Sequence, residues 1–544
     1  MVHPQLKRSI ESLSFSGYKL TRRNLYNAPA LKVMGRSVNN SSSNNNDQQQ
    51  YNLESAKQNT QIVVIGAGLA GLSAAQHLLR HGFRSTIVLE ATDRYGGRVN
   101  SKRFGDTYCE LGAKWVNMNI DGAHNTIYEL LRNAEGLRKQ LKQRECANYV
   151  HTQGREVPPN MVELIDMQFR QLCRGFKVSE KVKSGGDLHV LDNVMAYFKT
   201  ESEKLVGHSY PDPEKRALAR EIFQSLFKEF SSILGCCLEY VNIEHITSCP
   251  VQQELRPLYV PTGLDNVLDT LTQHISKEQL QTGKPVGSIQ WQTLSDFGAP
   301  TSPLPQERKC VACLDGTLYS ADHIICTLPL GVLKNFSAIL FKPALPLEKL
   351  QAIRNLGYGN PVKIYLAYKR PISRWLKSNL RPLGAQLGKD EPAITVNGRQ
   401  ERLWTQQVVE ISQLPSSQHV LEIRVGGGYY DEIEKLPDVT LLEQITALLR
   451  QCLRNRLVPY PQALLRSNWS TSACYLGGRP YFSTTSSARD VQRLAEPLGD
   501  IAPTLLFAGD ATALKGFGTI DGARTSGIRE AQRIIDYYYL KQYM

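Results

Sequence analysis

Gln61-Ile-Val-Val-Ile-Gly66-Ala-Gly68-Leu69-Ala70-Gly71, continuing as Leu72-Ser-Ala-Ala-Gln-His-Leu-Leu-Arg-His81-Gly82, is the stretch on which the architecture turns. After Gln61 the run is β-branched without polar interruption, as a strand buried on both faces of a parallel sheet requires. The apolar spacing from Leu72 to His81 predicts a helix, closed by Gly82. Ser85-Thr-Ile-Val-Leu-Glu90 predicts a second strand, ending in an acid about 20 residues beyond the glycines. Gly66 allows the tight turn, Gly68 lets backbone approach a pyrophosphate, and Gly71 lets helix pack on strand; the helix N-terminus turns its amides to the phosphates. Glu90 would accept the ribose hydroxyl protons and disfavour a 2′-phosphate, so NADP is not expected. Strand, glycines, helix, strand and acid in this register form a dinucleotide-binding unit.

The next segment, Glu90-Ala91-Thr-Asp-Arg94-Tyr-Gly-Gly97-Arg98, places two glycines and a second arginine directly after the acid. It resembles the Glu-Ala-x-x-Arg-x-Gly-Gly-Arg segment of the flavin-dependent amine oxidase superfamily. Glu110-Leu-Gly112-Ala113-Lys-Trp115 resembles the family segment that passes near the isoalloxazine ring, and Pro285-Val286 with Ile289 resembles the strand on the adenine side. Cys326-Thr-Leu-Pro-Leu-Gly-Val-Leu-Lys334, Leu506-Phe-Ala-Gly-Asp510-Ala-Thr512 and Asp521-Gly-Ala-x-x-Ser-Gly-x-Arg-Glu-Ala531 are similar to further family motifs. The match is densest in the polyamine oxidase and spermine oxidase branch. The resemblance implies an FAD site of Gly66, Gly68, Leu69, Ala70, Gly71, Glu90, Ala91, Arg94, Gly97, Arg98, Gly112, Ala113, Trp115, Val286, Asp510, Thr519 and Ile520. In it, the final helix points its N-terminus at the flavin, where its dipole favours negative charge. No cysteine stands where monoamine oxidases attach their flavin covalently, so noncovalent FAD is expected.

The fold implied is α/β, a Rossmann-like FAD-binding domain interleaved with an α+β substrate domain. Residues 61–150, 256–334 and 466–540 would form the first, and 151–255 with 335–465 the second, with the substrate cavity at their junction. Residues 213–240 and 346–356 read as helices, and Pro361–Tyr368 as a strand.

Lys363, in Gly357-Tyr-Gly-Asn-Pro-Val-Lys363, matches the family lysine that reaches flavin N5 through a water, which makes it the catalytic candidate. The resemblance implies hydride transfer from a carbon beside an unprotonated nitrogen, imine hydrolysis, and reoxidation by O2 to hydrogen peroxide. Glu163, Asp166, Glu201, Glu203 and Glu254 are candidates to meet a cationic amine. Four positions depart from the family pattern: Asp510, which stands for a flavin-contacting Glu and can make a similar hydrogen bond, Asn117, Arg479, and Thr519, a variation some spermine oxidases share. Asn117 replaces a histidine and cannot titrate near neutral pH. Arg479 stands at an aromatic position, which Tyr481 could restore only by a local shift. Thr519 occupies the opposite aromatic position. Arginine there would repel a polycation and attract a carboxylate, so an amino-acid oxidase, or a flavin-binding protein without turnover, stands as an alternative. A chromatin demethylase would need an extra N-terminal helical domain and a coiled-coil insertion, and no heptad run is present.

The 544 residues carry 41% hydrophobic and 21% charged residues, with mean hydropathy −0.32. No apolar run approaches the ~20 residues of a membrane helix. The net charge is +13, but residues 1–59 hold eight Lys/Arg against three Asp/Glu, so part of the excess sits in the tail and no nucleic-acid partner is expected. The partners expected are a small-molecule amine and O2. Residues 1–60 read as a basic, Asn/Ser/Gln-rich disordered tail, and its first 36 residues have transit-peptide-like composition. Eleven scattered cysteines suit a reducing compartment. The cytoplasm is therefore expected, with the mitochondrion as the alternative. Cys310-Val-Ala-Cys313 lies in an alternating stretch with an Asp315-Gly316 turn, which reads as a hairpin, and no metal site is expected.

Overall fold

The computed structural model describes residues 54–118, 125–133, 142–143, 147–152, 155–175, 193–248, 256–292, 309–384, 394–396, 399–401, 404–499 and 502–542. Strand Ile62–Ile65 lies at the centre of a five-stranded parallel sheet, ordered Leu505–Phe507, His323–Cys326, Ile62–Ile65, Thr86–Leu89, Leu280–Gln281. Stretches far apart in the chain thus supply one sheet. Ile62 and Val64 enter a core with Leu72 and Leu78 of helix Leu69–Arg80 and with Ile534 of helix Ile520–Lys541; Val63 and Ile65 enter another with Leu333, Phe341 and Ile353. The strand is buried on both faces, as its composition requires. The helix starts at Leu69, three residues before the apolar spacing begins, because the glycine loop itself winds into the first turn.

Residues 54–59, assigned to the linker by composition, are helical. Lys57 is the reason: its stem is buried, and its Nζ donates to Glu54 Oε1 at 2.8 Å and Tyr539 Oη at 3.4 Å. The rest of the tail, residues 1–53, lies outside the described residues.

Cys310–Cys313 and Leu318–Ser320 form the expected hairpin, with Gly316 at φ +85°. They belong to a four-stranded sheet with Val286–Gln290 and Phe341–Lys342. Among the described residues no group of three or more His, Cys, Asp and Glu could hold a metal ion.

A six-stranded sheet is ordered Ala463–Arg466, Lys363–Ala367, Val420–Val425, Val408–Gln413, Leu380–Leu383, Asn148–His151. One face is apolar: Ile364, Leu366, Leu421, Ile423 and Ile411 pack on Leu441, Ile445 and Leu448 of helix Asp438–Leu453. The alternation places Lys363, Tyr365, Glu422, Arg424, Glu410 and Ser412 on the other. Helices Pro159–Gly175, Val194–Ser209 and Pro213–Leu234 form a separate aromatic-rich core.

Asn148–His151 pairs with Leu380–Leu383 in the six-stranded sheet, while Phe341, Ile353 and Leu356 join a core of the parallel sheet. The helix read over 213–240 ends at Leu234, because Gly235 takes φ +70° and its N–H caps Ser231 O at 2.8 Å. A Cβ there would collide with Asn360 and Pro361, so the stop also fixes the approach to Lys363. Helix Leu347–Asn355 and strand Lys363–Ala367 fall within the spans read from sequence. Among the described residues no helix is long and apolar enough to cross a membrane.

Candidate active site

The glycine loop has the shape its sequence demands. Gly66 sits at φ +100°, and a Cβ on Gly71 would collide with the Gly66 carbonyl, which is the close helix–strand packing expected. A Cβ on Gly68 would meet nothing within 4 Å, so the loop opens onto free space there. No side chain caps helix Leu69–Arg80 and no acid lies in its first turn, which keeps its N-terminus suited to an anion. Leu69 and Ala70 form that first turn and are buried. Glu90 Oε2 accepts from Ala67 N at 2.8 Å, while Oε1 accepts from Thr92 N at 3.0 Å and Thr92 Oγ1 at 2.8 Å. The Thr92 hydroxyl also lies 2.8 Å from Arg94 O, so its one proton is shared between two acceptors, and Glu90 keeps acceptor positions for a ribose.

The segment after Ala91 folds back on this loop: Gly96 N donates to Ala67 O at 2.8 Å, and a Cβ on Gly97 would lie 3.2 Å from Gly68 Cα. Arg94 turns inward onto the carbonyls of Tyr95, Val99 and Gly97. Arg98 forms a bidentate pair with Asp510, at 2.8 and 2.7 Å, and donates to Gly478 O at 2.9 Å. Gly112 packs against the Arg98 carbonyl, and Ala113 N donates to it at 3.2 Å. Val286 opens strand Val286–Gln290, paired with Cys313. Thr519 is the N-cap of helix Ile520–Lys541, accepting from Gly522 N at 3.1 Å, and Ile520 begins that helix.

Lys363 is at the centre of a buried charged cluster. Its Nζ donates to Glu110 O at 3.0 Å and to Gly112 O. Tyr365 Oη is 2.7 Å from Glu110 O and 3.1 Å from Glu422 Oε1, and the other Glu422 oxygen pairs with Lys114. Lys114 also lies 5.0 Å over the Trp115 ring. Burial pulls Lys363 down to about 8 against the pull of Glu422, and burial pushes Glu110 up to about 7. Burial would also raise Glu422, but Lys114 and Lys363 override it and hold the carboxylate at about 2. Beside Glu422, a pocket is lined by Trp115, Asn379, Glu410, Ser412, Gln413 and Arg424, among others.

The family model of flavin containing amine oxidoreductases matches residues 69–535. The chain belongs to that family. Protein anon-37Cs of Drosophila melanogaster is 69% identical, over 95% of this chain and 97% of the relative. Peroxisomal N(1)-acetyl-spermine/spermidine oxidase of Bos taurus is 28% identical over 89% and 96%. Lysine-specific histone demethylase 2 of Homo sapiens is 27% identical over 97% of this chain but only 58% of its own length. Among solved structures, a redesigned putrescine oxidase shares the fold at TM-score 0.60 and 18% identity, covering 88% of this chain and 99% of that one. FAD is accordingly the cofactor of this amine oxidoreductase, and the open space at Gly68 beside an uncapped helix N-terminus fits its pyrophosphate.

In the amine oxidoreductase, Arg479 begins strand Arg479–Tyr481, paired with Gly357–Gly359. A Cβ on Gly518, the residue before Thr519, would lie 3.2 Å from Arg479 Nε, so the arginine packs against the loop leading into the last helix. Tyr481 is buried with the helical core, its ring against Gly357 and its hydroxyl beside Cys236. A local shift would have to empty that core. Asn117 lies on strand Trp115–Met118, opposite Pro257; its side chain is outside the described residues. Asp166 pairs with Arg170, Glu201 with Lys204 and Glu203 with Arg220 on the surface, while Glu163 is exposed. Glu254 lies outside the described residues. The sequence reading missed Glu422, Lys114 and Tyr365. Their signal was available in Val420-Leu-Glu-Ile-Arg-Val425, where charges at period two interrupt an otherwise apolar strand.

Proposed function

We propose that this amine oxidoreductase oxidises a small polyamine-type amine at a carbon next to nitrogen, yielding an imine that water converts to an aldehyde and a shortened amine, with O2 reduced to hydrogen peroxide. FAD, held noncovalently, would supply the hydride acceptor and the means of reoxidation by O2 when bound. Gly66, Gly68, Leu69, Ala70 and Gly71 would hold its pyrophosphate, Glu90 and Ala91 the ribose, and Val286 the adenine side. Arg94, Gly97, Arg98 and Asp510 would follow the ribityl path, with Gly112, Ala113, Trp115, Thr519 and Ile520 near the ring. The observation that carries the reading is Lys363, an ammonium buried against the Glu110 and Gly112 carbonyls. A fixed cation at that place favours the arrival of negative charge. The polyamine class rests on the relatives that act on spermine and spermidine derivatives. The cysteine usage supports a cytoplasmic setting.

One observation favours a second reading: Arg479 against Gly518 puts a guanidinium where a polycation would be repelled and a carboxylate held. The two separate in a peroxide assay of the holoenzyme over spermine, spermidine, acetylated polyamines and free amino acids. The first reading expects turnover of the polyamines. Turnover of amino acids alone would replace it with the second, and a flavin that no amine bleaches under argon would defeat both.

A further inference from the structure

We propose that Glu422 is a positioning residue for Lys363: by balancing the second buried lysine, Lys114, on the same face of the sheet, it lets the Lys363 ammonium be held at the Glu110–Gly112 carbonyls; this rests on the reading of Lys363 above. The Glu110 carbonyl is the shared acceptor, receiving Lys363 Nζ at 3.0 Å and lying 2.7 Å from Tyr365 Oη, which stands 3.1 Å from Glu422 Oε1. Tyr365 and Glu422 are directly opposite on adjacent strands, and Lys363 is opposite Arg424. Arg424 is itself occupied by Glu229 at 3.1 Å and Glu410 at 2.9 Å, and those two carboxylates also bind Arg381. That quartet is balanced, so Glu110 and Glu422 are the carboxylates left beside Lys363, and Glu422, its side chain only 3% exposed, is the one that pairs with Lys114.

The groups facing Lys363 from the surrounding elements are Glu110 and Cys109 on strand Thr107–Glu110, Lys114 beside Trp115, and Tyr365, Glu422 and Arg424 on the sheet. Glu422 favours the charged form of Lys363 and Lys114 opposes it, so removing either moves the lysine in opposite directions. Loss of stability alone would move both variants the same way.

The test measures the midpoint potential of FAD in the purified holoenzyme from pH 6 to 10, with the pH profile of anaerobic reduction by the best amine alongside. In the wild type both curves bend where Lys363 loses its proton. Glu422→Gln is expected to move the bend down by about one pH unit or more, Lys114→Met to move it up, and Glu422→Asp to leave it near the wild-type position. Lys363→Met removes the bend. If Glu422→Gln fails to retain FAD, Glu422→Gln combined with Lys114→Met, which removes both halves of the buried pair, is compared with Lys114→Met alone: a lower bend in the double variant supports the role of Glu422, and an equal one overturns it. A bend in the potential that survives in Lys363→Met would overturn the role of Lys363. A bend lost there but unmoved in Glu422→Gln would overturn the role of Glu422 alone.

Discussion

His245 is a single ring whose surroundings set its charge. Its Nδ1 accepts from Phe482 N at 3.3 Å, and Phe482 and Phe517 meet the ring edge-on. Burial, helped by the positive charge of Arg479, holds it neutral down to about 3. The unfolded ring takes a proton near 6.5, so between these values the unfolded state binds more protons and folding weakens as pH falls. From pH 7 to pH 5 this residue alone should cost the wild type about 2 kcal/mol. His245→Gln, which keeps an acceptor for Phe482, should flatten that part of the curve in urea unfolding; equal losses in both proteins would refute it. Nothing in the sequence marks His245, whereas Gly66 and Gly71 were readable because their constraint is local backbone geometry. Glu422 falls between: its alternating strand is visible, but the lysines it faces come from other parts of the chain.

At the level of elements, helix Ile520–Lys541 shows why small residues in the closing motif are informative. A Cβ on Gly522 would collide with the Gly516 carbonyl and one on Gly527 with the Ala70 carbonyl, while Ser526 Oγ accepts from Gly509 N at 2.8 Å. The helix is thereby pressed on Leu69–Arg80, so the fingerprint helix and the closing helix support one another. Thr519→Ala removes the N-cap bond to Gly522 and should cost about 1 kcal/mol in thermal or denaturant unfolding. Gly527→Ala, which gains helix propensity, should nevertheless be the more damaging, lowering both Tm and FAD content. A Gly527→Ala protein as stable as wild type would show that the two helices can separate. Such motifs were legible because packing dictates them residue by residue. The stop at Gly235 was not, since the apolar pattern runs past it and only the approach of Asn360 and Pro361 makes it necessary.

Across the whole molecule, the arrangement of distant segments is what the sequence conceals. The motifs around Arg98 and Asp510 were each readable, yet nothing in either reveals that they meet across 412 residues of chain. Their bidentate pair ties the segment after the second strand to the one that precedes the last helix, with side chains 23% and 11% exposed. Arg98 also holds Gly478 O, and through that contact the strand carrying Arg479. Removing one partner leaves the other charge poorly solvated, a loss of about 3–5 kcal/mol for fully buried pairs; the residual exposure here argues for about 2–3. Asp510→Asn should therefore lower Tm and FAD content, and Arg98→Met combined with it should cost less than the two single losses added together. Additive losses in that double-mutant cycle would mean that Arg98 and Asp510 serve separate partners, and that the two segments are held together by the sheet alone.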